Sequence, residues 1–203
     1  IGGDALNNTV TGNYNISIGQ ASGYDMTTGN KNVMVGHDAG ANLTTASGST
    51  YIGEAAGAVT LTGNNNIGVG NTALGGAATT GDNNIAIGAS AGDALTSGHS
   101  NIMMGKDAGG AMTTCNSNVV IGVQAGDALT STSDIVLVGR GAGTAINSTD
   151  ADGSVGIGKN ALLALTDGRY NNAIGFEAMS EATTADGNTV MGYQAMKQCS
   201  TLT

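Results

Sequence analysis

The chain has 203 residues, of which 35 are glycine, none proline or tryptophan and only one phenylalanine, so it lacks the large aromatics of a wide globular core and must fill its interior with Ala, Ile, Val, Leu and Met. Its formal net charge is −9, with six basic residues against fifteen acidic ones, and this excludes the clustered basic surface that nucleic acid needs. No apolar run approaches the ~20 residues of a membrane helix, so no membrane insertion is expected.

Taken in chain order, the dominant feature is a glycine that follows each short apolar run. It falls at Gly2, Gly19, Gly36, Gly53, Gly70, Gly88, Gly105, Gly122, Gly139, Gly158, Gly175 and Gly192. Nine of the eleven intervals are 17 residues, and the other two are 18 and 19, so the chain is a tandem repeat. Ile1-Gly2 is already mid-repeat, and residues 1–203 are expected to be a single repeat domain cut from a longer fibre protein. Seventeen residues suffice for two short strands and two tight turns, one coil of a solenoid. The fold class predicted is all-β, a parallel β-solenoid or β-roll of about eleven to twelve coils. Gly19 through Gly192 are its structural anchors, and Gly12, Gly29, Gly63, Gly81, Gly98 and Gly168 mark a second corner. At ~4.8 Å per rung such a rod extends about 53 Å.

Four residues before the anchor stands Asn, at Asn15, Asn32, Asn66, Asn84, Asn101, Asn118, Asn171 and Asn188, with Ser49, Ile135 and Ser154 as departures. This column reads as a ladder of side chains bonding backbone and one another between rungs. Between Asn and the anchor the residues alternate as a strand does. Ile16 and Ile18, Val33 and Val35, Ile85 and Ile87, Val119 and Ile121 are read as pointing inward. The residue between them then points out: Met34, Tyr51, Ala86, Met103, Val120, Leu137, Ala173 and Val190. An apolar outer column implies a cover, so these eight residues are expected to form an interface between copies of the chain.

The runs Asn84-Ile85-Ala86-Ile87-Gly88, Asn172-Ala173-Ile174-Gly175-Phe176-Glu177-Ala178-Met179 and Val190-Met191-Gly192-Tyr193-Gln194-Ala195-Met196 resemble the Asn-Thr-Ala-Ile-Gly-Tyr-Gln-Ala-Leu repeats of phage tail fibres. Those repeats often precede an endosialidase-type intramolecular chaperone domain. The sequence is also similar to the head repeats of trimeric autotransporter adhesins, a left-handed parallel β-roll. The resemblance covers essentially the whole chain, and the 17-residue interval fits the phage repeat better than the shorter adhesin coil. It implies a homotrimer on a virion, extracellular, that spaces and presents the binding of a host cell-surface receptor or glycan. The alternatives are the head of a bacterial trimeric adhesin at the cell surface, and an ice-binding solenoid suggested by recurring Thr pairs such as Thr27-Thr28 and Thr113-Thr114.

Chemistry is sparse, and neither catalysis nor a cofactor is expected. Gly153 to Asn160 imitates a phosphate loop but has Asn160 where Ser or Thr is required. His37 and His99 lie in different columns, without the convergent partners of a metal site or catalytic triad. Asp93 and Asp127 share a column, and Asp150 and Asp152 crowd one turn, so calcium was weighed against the missing calcium-repeat motif. Cys115 and Cys199 lie 84 residues apart, on the order of 24 Å along the axis, too far for a disulfide. The longest interval carries two extra residues around Asn147 to Gly153, and Asn147, Asp150 and Asp152 are the candidate binding loop.

Overall fold

A computed structural model of the chain describes residues 1–8, 10–59, 62–147 and 151–198. It is an all-β parallel solenoid. Eleven three-residue strands form one sheet in strict chain order: β1 (Ile16–Ile18), β2 (Val33–Val35), β3 (Thr50–Ile52), β4 (Ile67–Val69), β5 (Ile85–Ile87), β6 (Ile102–Met104), β7 (Val119–Ile121), β8 (Val136–Val138), β9 (Val155–Ile157), β10 (Asn172–Ile174) and β11 (Thr189–Met191). Every neighbouring pair is parallel and level, as in Ile16↔Val33, Ser17↔Met34 and Ile18↔Val35. The register survives both long intervals, because Ile67 still pairs Ile85 and Val136 still pairs Val155. The extra residues therefore fall outside the strands, at 75–78 in one coil.

One coil shows why the chain curls. After β6, Gly105 turns the chain at φ 132°, and Asp107, Gly109 and Ser117 follow in the left-handed region at 56°, 57° and 58°. The second strand expected from the sequence is not found among the described residues. The far side is a run of turns and bends instead, although its N–H groups still reach the next rung, as in Thr113 N–H to Thr130 O at 3.0 Å. The anchor must be glycine for a second reason. A Cβ on Gly122 would run into the backbone of Gly139 directly above it.

The core is a narrow file of small and medium side chains. Most coils contribute the middle residue of the strand, the Ala three residues past the anchor and an apolar residue, commonly Leu or Met, on the far side, as with Met103, Ala108 and Met112, all fully buried. Where the file changes, it changes in pairs. Ser22 alone replaces that Ala, and it meets Ser17, the only polar middle residue: Ser17 Oγ donates to Ser22 O at 2.8 Å and Ser22 Oγ donates to Gly19 O at 2.9 Å. Tyr51, the largest core side chain, is accommodated by Gly57 of its own coil and Gly68 of the next, where any Cβ would meet its ring.

Candidate self-association face

The middle residue of each strand points in, and its two neighbours point out. Met34, Tyr51, Ala86, Met103, Val120, Leu137 and Ala173 are fully buried and Val190 is 6% exposed, so the eight residues expected to cover one chain with another lie inside a single chain. The physical reason is room. The interior of a 17-residue coil is too narrow to take two branched side chains per strand, so it takes one, often Ala or Gly, and the Ile and Val columns stand outside.

These outer columns are a continuous feature. One runs Ile16, Val33, Thr50, Ile67, Ile85, Ile102, Val119, Val136, Val155, Asn172, Thr189; the other runs Ile18, Val35, Ile52, Val69, Ile87, Met104, Ile121, Val138, Ile157, Ile174, Met191. Eleven strands with two outward residues each give twenty-two positions, of which Thr50, Asn172 and Thr189 are polar and none is ionisable. Stacking covers the upper and lower flanks of each side chain, and the remaining outward surface is open, with Ile18 44% and Ile52 39% exposed. With ~4.8 Å per rung and a width of roughly 10 Å, the strip presents on the order of 500 Å² of apolar surface, at the upper end of what a monomer leaves in water.

Two hydrogen-bonded ladders tie rung to rung beside the strip. The buried one contains the Asn column. Asn118 donates its backbone N–H at 3.1 Å and its Nδ2 at 3.0 Å to Asn101 Oδ1, while Asn101 Nδ2 reaches Asn84 Oδ1 at 3.0 Å and Cys115 O at 2.8 Å. Ile135 can receive but not pass on: its N–H donates to Asn118 Oδ1 at 3.0 Å. Ser49 Oγ and Ser154 Oγ stand in as acceptors, for Asn66 N–H and Asn171 N–H. At the two ends Asn32 N–H donates to Asn15 Oδ1 and Asn188 N–H to Asn171 Oδ1.

The second ladder has no counterpart in the sequence reading, and it runs in the opposite sense. Here the N–H of one rung donates to a side chain of the next: Asn64 to Asp82 Oδ1 at 2.6 Å, Asp82 to His99 Nδ1 at 3.0 Å, His99 to Asn116 Oδ1 at 2.9 Å and Ser133 to Asp152 Oδ1 at 2.7 Å. The acceptors are of four residue types at one position, Asn, Ser, Asp and His, so no repeated residue marks the column. His99 thus holds a rung, with its Nδ1 as acceptor. Arg169 takes the same position, and although its side chain carries no acceptor, its own N–H donates to Asp186 Oδ1 at 2.7 Å.

The remaining candidates fall in scattered places. In the expected binding loop, Asn147 is exposed and its carbonyl accepts Thr130 Oγ, Asp152 serves the second ladder, and Asp150 lies outside the described residues, as does Cys199. Cys115 is free and buried, and burial pushes its thiol up to about 11. Asp93 and Asp127 share a column two coils apart. Burial raises both carboxyls above the ordinary range, the charge of Asp107 adds to the rise, and the backbone of Gly76 beside Asp93 opposes it. Among the described residues no group of three or more His, Cys, Asp and Glu side chains is placed to hold a metal ion. The inner threonine of each Thr pair donates into the next rung, as Thr113 Oγ1 does to Thr130 O at 2.8 Å. Near the last coils Phe176 and Tyr193 stack at 5.4 Å with Lys159 over Phe176, and an open cleft of about 620 Å³ lies beside Asp167, Arg169, Tyr170 and Asp186.

No protein-family model, no curated protein and no solved structure matches the chain.

Proposed function

We propose that this chain is a non-catalytic, rod-like segment of a homotrimeric phage tail fibre, which spaces and presents a part that binds a host-surface receptor or glycan. The observation that carries the reading is the continuous, uncharged strip of Ile, Val and Met columns along the whole sheet. A parallel sheet is ordinarily covered on both faces, and here the chain covers only the inner one. A partner copy supplies the cover most economically, because closed symmetric homo-oligomers are the commonest assemblies. The strip forms the centre of an interface that flanking turn residues would widen toward the ~800 Å² per partner of stable complexes. Three copies, and a virion rather than a bacterial surface, follow the resemblance of the 17-residue repeat to tail-fibre repeats. Stiffness comes from the level parallel strands and the two opposed ladders. The inner threonine hydroxyls donate to backbone within the rod, which supports a structural role for that column over the ordering of ice.

Light scattering on the purified chain tests the reading. The expected mass is three times the 19.7 kDa chain, about 59 kDa. Ile121→Lys combined with Val138→Lys is expected to give a folded monomer. A wild-type chain that stays monomeric at high concentration overturns the reading.

A further inference from the structure

Thr50, Asn172 and Thr189 are the only polar residues among the outward positions of the eleven strands, and all three stand in the same column, the one that precedes the inward residue. The neighbouring column, from Ile18 to Met191, is apolar throughout. None of the three uses its side chain in a hydrogen bond to another described residue. Their chemistry has one property in common: an amide and a hydroxyl each carry both donor and acceptor, and neither is charged. That is what a side chain needs in order to bond its own identical copy.

We infer that the self-associated chains are parallel and level, and that the rotation axis runs along the column of Thr50, Asn172 and Thr189, so that each polar residue meets its own copies. The inference rests on the self-association proposed above. A rotation axis along the rod keeps every residue at the height of its copies. Where the axis follows this column, like meets like: Asn172 bonds Asn172, and the buried amides are paired. With the axis midway between the two columns, Asn172 faces Ile174 of a copy and is buried without a partner. In an antiparallel pair centred on the rod, β10 lies against β2 and Asn172 faces Val33. A one-rung shift that sets Asn172 against Thr50 still leaves Thr189 against Val33. Polar side chains at a symmetric apolar seam set register in this way in coiled coils, at some cost in stability.

Disulfide trapping tests it, in a Cys199→Ser background where Cys115 is buried. Asn172→Cys alone is expected to form a covalent pair of chains on mild oxidation, with one third of the chains left single in a trimer. Mixtures of Asn172→Cys with Ile174→Cys, Val33→Cys or Thr50→Cys are expected to give no mixed product beyond a few per cent of that yield. A dominant mixed product with Ile174→Cys moves the axis off this column, to the line midway between the two, and one with Val33→Cys or Thr50→Cys makes the chains antiparallel. Either result overturns the inference while leaving self-association intact, as does an oligomer that traps at none of these positions. A monomer by light scattering removes the underlying reading itself. As a second measurement, Thr50→Val, Asn172→Val and Thr189→Val together are expected to keep the oligomer but lose its single alignment, read as mixed trapping between reporter cysteines at Ile85 and Val136. An unchanged, exclusive alignment in that variant overturns the inference.

Discussion

Gly156 and Leu162 share one place in the coil: a Cβ built on Gly156 would lie 3.1 Å from Leu162 Cδ1. One coil earlier the roles are exchanged, with Leu137 on the strand and Gly143 on the turn, where a Cβ would meet Leu137 Cδ1 at 2.7 Å. The same exchange separates Tyr51 with Gly57 from Gly68 with Leu74. In these four rungs one bulky group fills this point, delivered from either of two backbone positions.

The exchange predicts a double-mutant result. Gly156→Leu alone overfills the rung and is expected to cost about 1–3 kcal/mol. Leu162→Gly added to it restores the arrangement of Leu137 and Gly143 and also places glycine at a left-handed position, where Leu162 has φ 55°. Most of the lost stability is expected to return, with a coupling of at least about 1 kcal/mol in denaturant titration. Additive effects would show that the two side chains do not share the space.

The Asn ladder makes a different kind of demand. Removing the Asn101 side chain leaves Asn118 N–H and Asn118 Nδ2 without their shared acceptor inside the rod. Asn101→Ala is expected to cost roughly 3 kcal/mol, the range for leaving buried polar groups unpaired. Asn188→Ala, near the last rung and half-buried, is expected to cost less than half as much. Equal losses at the two positions would mean that the stacking of rungs above Asn101 adds nothing to its bonds.

The repeat, the anchor glycines, the parallel order of the rungs and the positions of the Asn column were legible in the sequence because each repeats a residue type at a fixed interval. The facing of the strand was not. Alternation gives two phases, both of them apolar here, and alternation alone does not say which phase faces in. The discriminating signal lay in paired departures. Ser17 occurs with Ser22, Gly68 with Leu74 and Gly156 with Leu162, and residues that compensate one another in size or polarity are in contact. Each pairing includes the middle residue of a strand, which marks that column as interior. The missing second strand was hidden for another reason: the far side carries strand-favouring threonines, such as Thr113 and Thr114, yet runs as turns and bends.

Asp93 predicts an acid-side pH dependence. Burial raises its carboxyl above the ordinary 3.8, and Asp107 contributes in the same direction. The folded state then holds the proton more tightly than the unfolded state. The stability this group contributes is complete below pH 3.8 and lost as pH rises through the folded value. Asp93→Asn keeps an acceptor toward Gly76 and removes the charge. It is expected to raise the melting temperature at pH 7, with the gain vanishing by about pH 3. A gain that persists unchanged at pH 3 would place its cause in packing and not in charge.

Cys115 predicts the alkaline counterpart. Burial raises its thiol from 9.0 to about 11, against smaller opposing hydrogen bonds from the Thr113 and Cys115 backbone. At pH 8 the native thiolate fraction is then about 100-fold below that of an ordinary thiol, so a disulfide reagent is expected to label Cys115 at least that much more slowly than the unfolded chain in a Cys199→Ser background. The same shift acts on folding. Above pH 9.0 the unfolded thiol ionises first, so stability declines as pH rises from 9 toward 11. Cys115→Ala removes that decline and is readily housed, because Ala46 and Ala185 occupy the same corner in other coils and are buried there as well. Parallel melting curves for the two proteins between pH 8 and 11 would refute a buried, protonated thiol, since the reporter differs between them only in that one titrating group.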